Sequence, residues 1–279
     1  MGSIIATVKR SRGIAAALGA MSVAALTGEQ MRRIFRAREH GRQAPPAFSH
    51  MPPRSRRRVL VVGDSTGAGV GCESPADSIA GRIARDFAQV EIDNVAVSGA
   101  TVAEVARQVQ DLPADRPPDL VLVFAGGNDV LRRTPQAALR RSVRDLLEPL
   151  HSRGATVIWV GMANVGLAPA FLPPLSWWLT YRTRRVKQLL ADEVARCGAH
   201  FVDFFHERAA DPFSAAADCY YADDGVHPSA WAYGYCYHVM KPLISAALGS
   251  APQPGGARPH DPPATARHEA RAPAASGGP

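Results

Sequence analysis

The sequence has no C-x-x-C pair, and none of its four cysteines (Cys72, Cys197, Cys219 and Cys236) stands at zinc-ligand spacing from a histidine, which excludes a cysteine-based zinc site. Buried or half-buried thiols are expected instead, with a Cys219–Cys236 bridge as the alternative for an exported chain. The apolar stretch ending at Leu26 falls short of the ~20 residues that a spanning helix needs. Gly67-Ala-Gly-Val-Gly71 lacks the third glycine of G-x-G-x-x-G, and no Gly-Lys-Ser/Thr follows it. A phosphate-binding loop is therefore excluded, and a mobile turn is expected. No repeat period is visible. Basic charge is missing from the middle of the chain: the formal +7 comes from residues 1–58, with twelve Lys/Arg against Glu29 and Glu39, and the central part sums to −4. A mildly acidic domain has no electrostatic grip on a phosphate backbone, so nucleic acid is not an expected partner.

What is present is a chain of 279 residues, 46% hydrophobic and 20% charged, enough for one large domain with appendages. Residues 1–58 form a basic arm with a short apolar segment and a Pro/Arg-rich linker from Gln43. Three readings of the arm stay open: a signal peptide cleaved near Ala25, a membrane-surface anchor, and a helix packed on the domain. Basic residues interleaved with Met31, Ile34 and Phe35 suit an interfacial helix attracted to anionic lipid, and a solvated arm is the plain alternative. The arm accordingly implies membrane association or export, with a cytoplasmic location as the alternative. Residues 249–279 are Pro-, Ala- and Gly-rich and are expected to be disordered.

Between them, residues 59–248 alternate compact β-rich runs with amphipathic ones. Strands are predicted at Arg58–Gly63, Val90–Val97, Leu120–Phe124, Thr156–Gly161 and His200–Phe204. Helices are predicted at Ser78–Ala88, Thr101–Gln110, Pro135–Ser152, Thr180–Cys197 and Pro228–Leu248. Strict β-α alternation predicts a three-layer α/β/α fold of the flavodoxin kind with a five-stranded parallel sheet.

Ligand sites of open α/β sheets lie beyond the carboxyl ends of the strands, and four polar clusters fall there: Ser65, Ser98-Gly99, Gly126-Gly-Asn-Asp129 and Asp223-Asp-Gly-Val-His227. A serine hydroxyl becomes a nucleophile when a base takes its proton and a third group orients that base. His227 and Asp224 supply both on one short turn. Ser65 N–H, Gly99 N–H and the Asn128 amide suit an oxyanion hole. Asp129 and Asp64 are expected to brace their loops, and Asp223 is the lesser candidate for the acid.

The blocks Gly63-Asp-Ser65, Asn94-Val-Ala-Val-Ser-Gly99, Gly126-Gly-Asn-Asp129 and Asp224-Gly-Val-His227, in this order, resemble those of the SGNH (GDSL-like) serine hydrolase superfamily over residues 57–248. Thr66 stands where that family usually has Leu or Ile. The stretch from Pro169 to Arg185 resembles its bacterial lysophospholipase-like branch. The resemblance implies a catalytic triad of Ser65, Asp224 and His227, an oxyanion hole of Ser65, Gly99 and Asn128, a small acyl ester or lipid as substrate, no cofactor or metal, and a monomer. Gly63-x-Ser65-x-Gly67 also fits the nucleophile elbow of α/β-hydrolases, but that elbow follows a central strand, and its acid and histidine come from separate loops. Trp177 and Trp178 are expected either to begin a packed helix or to form an apolar lid over an acyl cleft, with Arg182 to Lys187 facing phosphate or lipid. From another functional class, a catalytically idle domain serving as a membrane-associated binding module is the alternative.

Overall fold

Each central strand carries apolar side chains on both faces. In the computed structural model, which describes residues 24–112 and 116–249, Leu60 and Val62 of β1 (Arg57–Gly63) enter one core while Val59 and Val61 enter the other. The same two-residue alternation sends Val121 and Val123 of β3 (Leu120–Phe124) one way and Leu120, Leu122 and Phe124 the other. β4 (Thr156–Val160) divides likewise, with Trp159 on the first face. Successive side chains of a strand point to opposite faces, so strands of this kind need a helical layer on each side.

Those layers are present. Helices α4 (Val102–Gln110), α6 (Gln136–Ser152) and α7 (Leu175–Arg196) cover one face, and α3 (Ile79–Asp86) and α10 (Ala230–Leu248) the other. All five strands, completed by β2 (Val90–Asn94) and β5 (His200–Val202), are parallel, in the order β2-β1-β3-β4-β5. The predicted three-layer fold is borne out. The chain reverses its direction of growth at β1, so the crevice between the carboxyl ends of β1 and β3 is the topological switch point where ligands collect. Short helices α2 (Ser65–Ala68) and α5 (Gly127–Arg132) begin at those two ends, while α8 (Pro212–Ala215) and α9 (Ala217–Tyr220) lie before α10.

Several bounds differ from expectation: β2 ends at Asn94 and β5 at Val202, short of the predicted Val97 and Phe204. α7 begins at Leu175, five residues before its predicted start, so both Trp177 and Trp178 lie inside it. Residues 24–43, designated α1, are helical and packed on the domain, which selects the third reading of the arm for this part. Ala37 is buried, and Ile34 packs against the core that includes Trp159. Gln30, Ile34, Ala37 and Gly41 share one face by their spacing. Gln30 clamps the loop before α7: its Nε2 donates to Ala170 O (3.0 Å) and its Oε1 accepts from Leu172 N (2.8 Å). Arg33 donates to Pro169 O at 2.9 Å. Met31 and Phe35 point outward, 44% and 60% exposed. The segment expected to be a linker runs along the domain: His50 bridges Ile92 of the edge strand, and Phe48 packs on the α3/α10 core. Among the described residues no helix is long and apolar enough to cross a membrane. The expected tail and the segment up to residue 23 lie outside the described residues, apart from Gly249, which caps α10.

Removing the Gln30 clamp should cost roughly 1–2 kcal/mol of local stability. Gln30→Ala should therefore speed amide hydrogen exchange across residues 24–43 by about five- to thirtyfold while leaving α6 unchanged; unchanged exchange in α1 would show that other contacts hold it.

Candidate active site

Ser65 follows β1 as the first residue of α2, and Asp64 caps that helix by accepting from Thr66 N at 2.9 Å. The first N–H groups of a helix have no partner within it, and Ser65 lines the cleft at the switch point. Asn94, at the end of β2, donates from Nδ2 to Gly67 O (3.0 Å) and accepts from Ala96 N. It thereby ties the serine turn to the loop that carries Ser98 and Gly99. Asn128, in α5, donates to Ala100 O at 3.1 Å and makes a longer contact with Asp64 Oδ2, at 3.4 Å. Asp129 accepts from Val102 N at 3.0 Å and so pins α5 to the start of α4.

The turn Asp224–His227 is organised by one carboxylate. Its Oδ1 accepts from Val226 N (2.8 Å) and His227 N (2.9 Å), and its Oδ2 meets His227 Nδ1 at 2.5 Å. Asp224 is buried and Asp223 exposed, so the structure separates the two candidate acids. Burial pushes the Asp224 carboxyl up, but the hydrogen bond and charge of His227 and the two backbone N–H groups outweigh it and hold the group below the ordinary carboxylate range. Asp64 meets the opposite balance. Burial dominates, only partly offset by Thr66 and by the charge of His227, and its carboxyl is pushed up to about 6. The loop Gly67–Gly71, expected to be a mobile turn, is packed under the histidine turn. Gly71 has φ +99, and a Cβ there would lie 2.2 Å from Pro228 O and 3.2 Å from His227 Cβ. Val70 O accepts from the buried Tyr233 hydroxyl at 2.9 Å.

Ser65, Gly99, Asn128 and His227 all line one cleft of about 850 Å³. Among the described residues no hydrogen bond joins Ser65 to His227; such contacts tighten when substrate binds. Trp178 also lines the cleft, with Arg133 and Arg182 over its ring at 5.0 and 5.3 Å. Trp177, 68% exposed, does not line it. Neighbouring residues of a helix point about 100° apart, so only one of the two tryptophans can face inward. The basic run after them is largely spent within the fold: Arg182 donates to Val130 O, Arg184 pairs with Glu207, and Lys187 pairs with Asp203. All four cysteines are free thiols, Cys72 buried and the others half-buried.

Sequence reasoning missed the fourth wall of the cleft, which is α1. Ile34, Ala37, Arg38, Gly41 and Arg42 line it. A Cβ on Gly41 would lie 2.8 Å from Ser98 Oγ and 3.9 Å from His227 Nε2, and the His40 ring stacks on His227 with centroids 6.1 Å apart. The helical spacing from Gln30 to Gly41 carried the signal, but it was masked by the outward-facing Met31 and Phe35.

Residues 61–235 match the model of the GDSL-like lipase/acylhydrolase family. A GDSL-like esterase of Mycobacterium tuberculosis is 27% identical over 196 residues, 68% of this chain and 62% of that protein. Esterase TesA of Pseudomonas aeruginosa is 31% identical over 107 residues, 37% of this chain and 53% of the esterase. The chain thus spans under two thirds of the length of either relative. Among solved structures, a crystal structure of TesA superposes with a TM-score of 0.55 at 23% identity, covering 69% of this chain and all of the other. A lipase/acylhydrolase from Enterococcus faecalis gives 0.55 at 20% identity, covering 71% and 100%. At these identities the likeness is one of fold.

A carboxyl held at a raised value makes folding bind a proton. Between about pH 4 and 6 the unfolded chain releases the Asp64 proton first, so this group's contribution to stability falls as pH rises through that window. Asp64→Asn removes the loss: its Tm relative to wild type should be more favourable at pH 7 than at pH 4, and a constant difference would reassign the burial cost.

Proposed function

The chain belongs to the GDSL-like lipase/acylhydrolase family, and on that basis we propose that it is a serine esterase that cleaves carboxylic esters through an acyl-enzyme. Ser65 is the nucleophile, His227 the proton carrier and Asp224 the group that orients it. The observation that carries this reading is the division of labour on Asp224, with Oδ1 fixing the backbone of the turn and Oδ2 fixing His227 Nδ1. That leaves Nε2 as the ring nitrogen able to face the serine, the arrangement that a hydroxyl nucleophile needs.

In the reaction, Ser65 Oγ bonds to the carbonyl carbon while its proton passes to His227 Nε2. The negative charge on the carbonyl oxygen is met by the N–H groups of Ser65 and Gly99 and by the Asn128 amide, whose long contact to Asp64 leaves a proton to redirect. Collapse breaks the bond to the leaving oxygen or sulfur, and His227 returns the proton to it. Water repeats the sequence on the acyl-enzyme and releases the acid and Ser65. The apolar part of the cleft, bounded by Phe171, Leu175, Trp178 and Leu179, receives the acyl chain. A lysophospholipase- or thioesterase-like substrate fits this division.

A fluorophosphonate probe should label the wild type and not Ser65→Ala. Asn128→Ala should fold normally and lose on the order of 10²–10³ in turnover; near-wild-type turnover there, or an unlabelled wild type, refutes the reading, and the latter points to an idle binding module. Trp178→Ala should slow long-chain esters more than acetyl esters, whereas Trp177→Ala should change neither. Equal loss on both chain lengths in Trp178→Ala would remove the tryptophan from the acyl wall.

A further inference from the structure

The cleft is lined by four arginines from two elements, Arg38 and Arg42 on α1 and Arg132 and Arg133 at the end of α5, against one carboxylate, the buried Asp64. Among the described residues neither Arg38 nor Arg133 has a carboxylate within 4 Å, and Arg42 reaches only Glu39, at 3.8 Å. Arg132 is already engaged, donating to Gly99 O at 2.8 Å and pairing with Glu104 at 3.4 Å. This concentration is not the overflow of a basic domain, because residues 59–248 carry net negative charge and the cations on one wall come from the arm.

The position of α1 says which half of a substrate would meet these cations. In the proposed reaction His227 Nε2 must return a proton to the leaving group, so the leaving group lies on the Nε2 side of the ring. Gly41 of α1 approaches that edge, within 3.9 Å of Nε2 measured from an added Cβ. Arg38 lies one helical turn before Gly41, and Arg42 directly follows it. The acyl side is walled by Phe171, Leu175, Trp178 and Leu179, and the guanidinium groups of Arg133 and Arg182 there lie over the Trp178 ring.

We propose that α1 completes a leaving-group subsite: Arg38 and Arg42 bind a phosphate carried on the alcohol or thiol part of the ester. The guanidinium fork matches phosphate oxygens in pairs, which a point charge does not. The inference rests on the serine-esterase reading and narrows its substrate class to acyl esters or thioesters with a phosphorylated leaving group. Such a group could be a lipid headgroup or a soluble phosphorylated thiol.

The test uses two pairs of substrates with matched acyl chains on the full chain: 1-decanoylglycerol 3-phosphate against 1-decanoylglycerol, and S-decanoyl 4′-phosphopantetheine against S-decanoyl N-acetylcysteamine. In at least one pair the wild type should favour the phosphorylated member by about tenfold or more in kcat/KM, chiefly through KM and less so at high salt. The pair showing the preference identifies the source of the phosphate. In Arg38→Gln/Arg42→Gln that ratio should fall about tenfold, and Arg38→Lys/Arg42→Lys should recover part of it. A wild-type ratio near or below one in both pairs overturns the subsite, as does a Gln variant that slows both members of a pair equally. If no ester is hydrolysed and the fluorophosphonate probe fails to label Ser65, the esterase reading falls and the subsite with it; labelling and hydrolysis without preference leave the esterase standing and remove the subsite alone.

Discussion

A carboxylate taken out of water keeps its charge only if its oxygens find donors, and Asp224 finds all of them inside its own turn. Two backbone N–H groups saturate one oxygen, and the imidazole takes the other. Because the same group shapes the loop and aims the ring, backbone and side chain cannot drift apart. The rest of the cleft is arranged around that fixed ring. The glycine turn after Ser65 packs against the backbone of Pro228 and the Cβ of His227, and α1 covers the outer edge of the ring. Five parallel strands ending on one edge make this convergence feasible, since every loop there leaves in the same direction.

The two buried carboxylates flanking the cleft illustrate how environment sets charge. Asp224 has three donors, and they hold it below the ordinary carboxylate range despite its burial. Asp64 has one strong donor and a distant amide, and burial pushes its carboxyl up to about 6. A loop-bracing acid can tolerate that, because its work is to cap α2 and steady Asn128, and a protonated carboxyl still offers a carbonyl oxygen to Thr66 N. An orienting acid cannot, because a proton on Oδ2 would compete with Nδ1 for the same position.

The layers of the fold were legible because strands buried on both faces read as unbroken Val/Leu runs, and Leu120–Phe124 was placed to the residue. Strand ends were less so: β2 ends at Asn94, where the side chain turns to hold Gly67, although Val95 N and Val97 N still donate to Val61 O and Gly63 O of β1 at 2.9 Å. Four polar clusters on one edge could be collected from topology alone, and the structure brings Ser65, Gly99, Asn128 and His227 to one cleft. What lay beyond reach depended on contacts distant in sequence. α1 reads as a basic amphipathic helix whichever surface it meets, and contacts such as the Gln30 clamp, 140 residues away in sequence from its partner loop, show that the surface is its own domain. Trp177 and Trp178 could not be told apart without the start of α7.

Ala170 stands between the arm and the histidine turn: its carbonyl accepts from Gln30, and its N–H donates to Gly225 O at 3.0 Å. The two backbone groups of one residue thus link a segment outside the family-matched region to the loop that aims His227. The boundary drawn by family likeness, at residue 61, is therefore not a boundary of the working part. A shortened chain starting there would keep every residue of the proposed triad and lose a wall, a strut and half of the cations at its mouth. The contacts that hold this cleft together thus begin upstream of the region that family likeness marks.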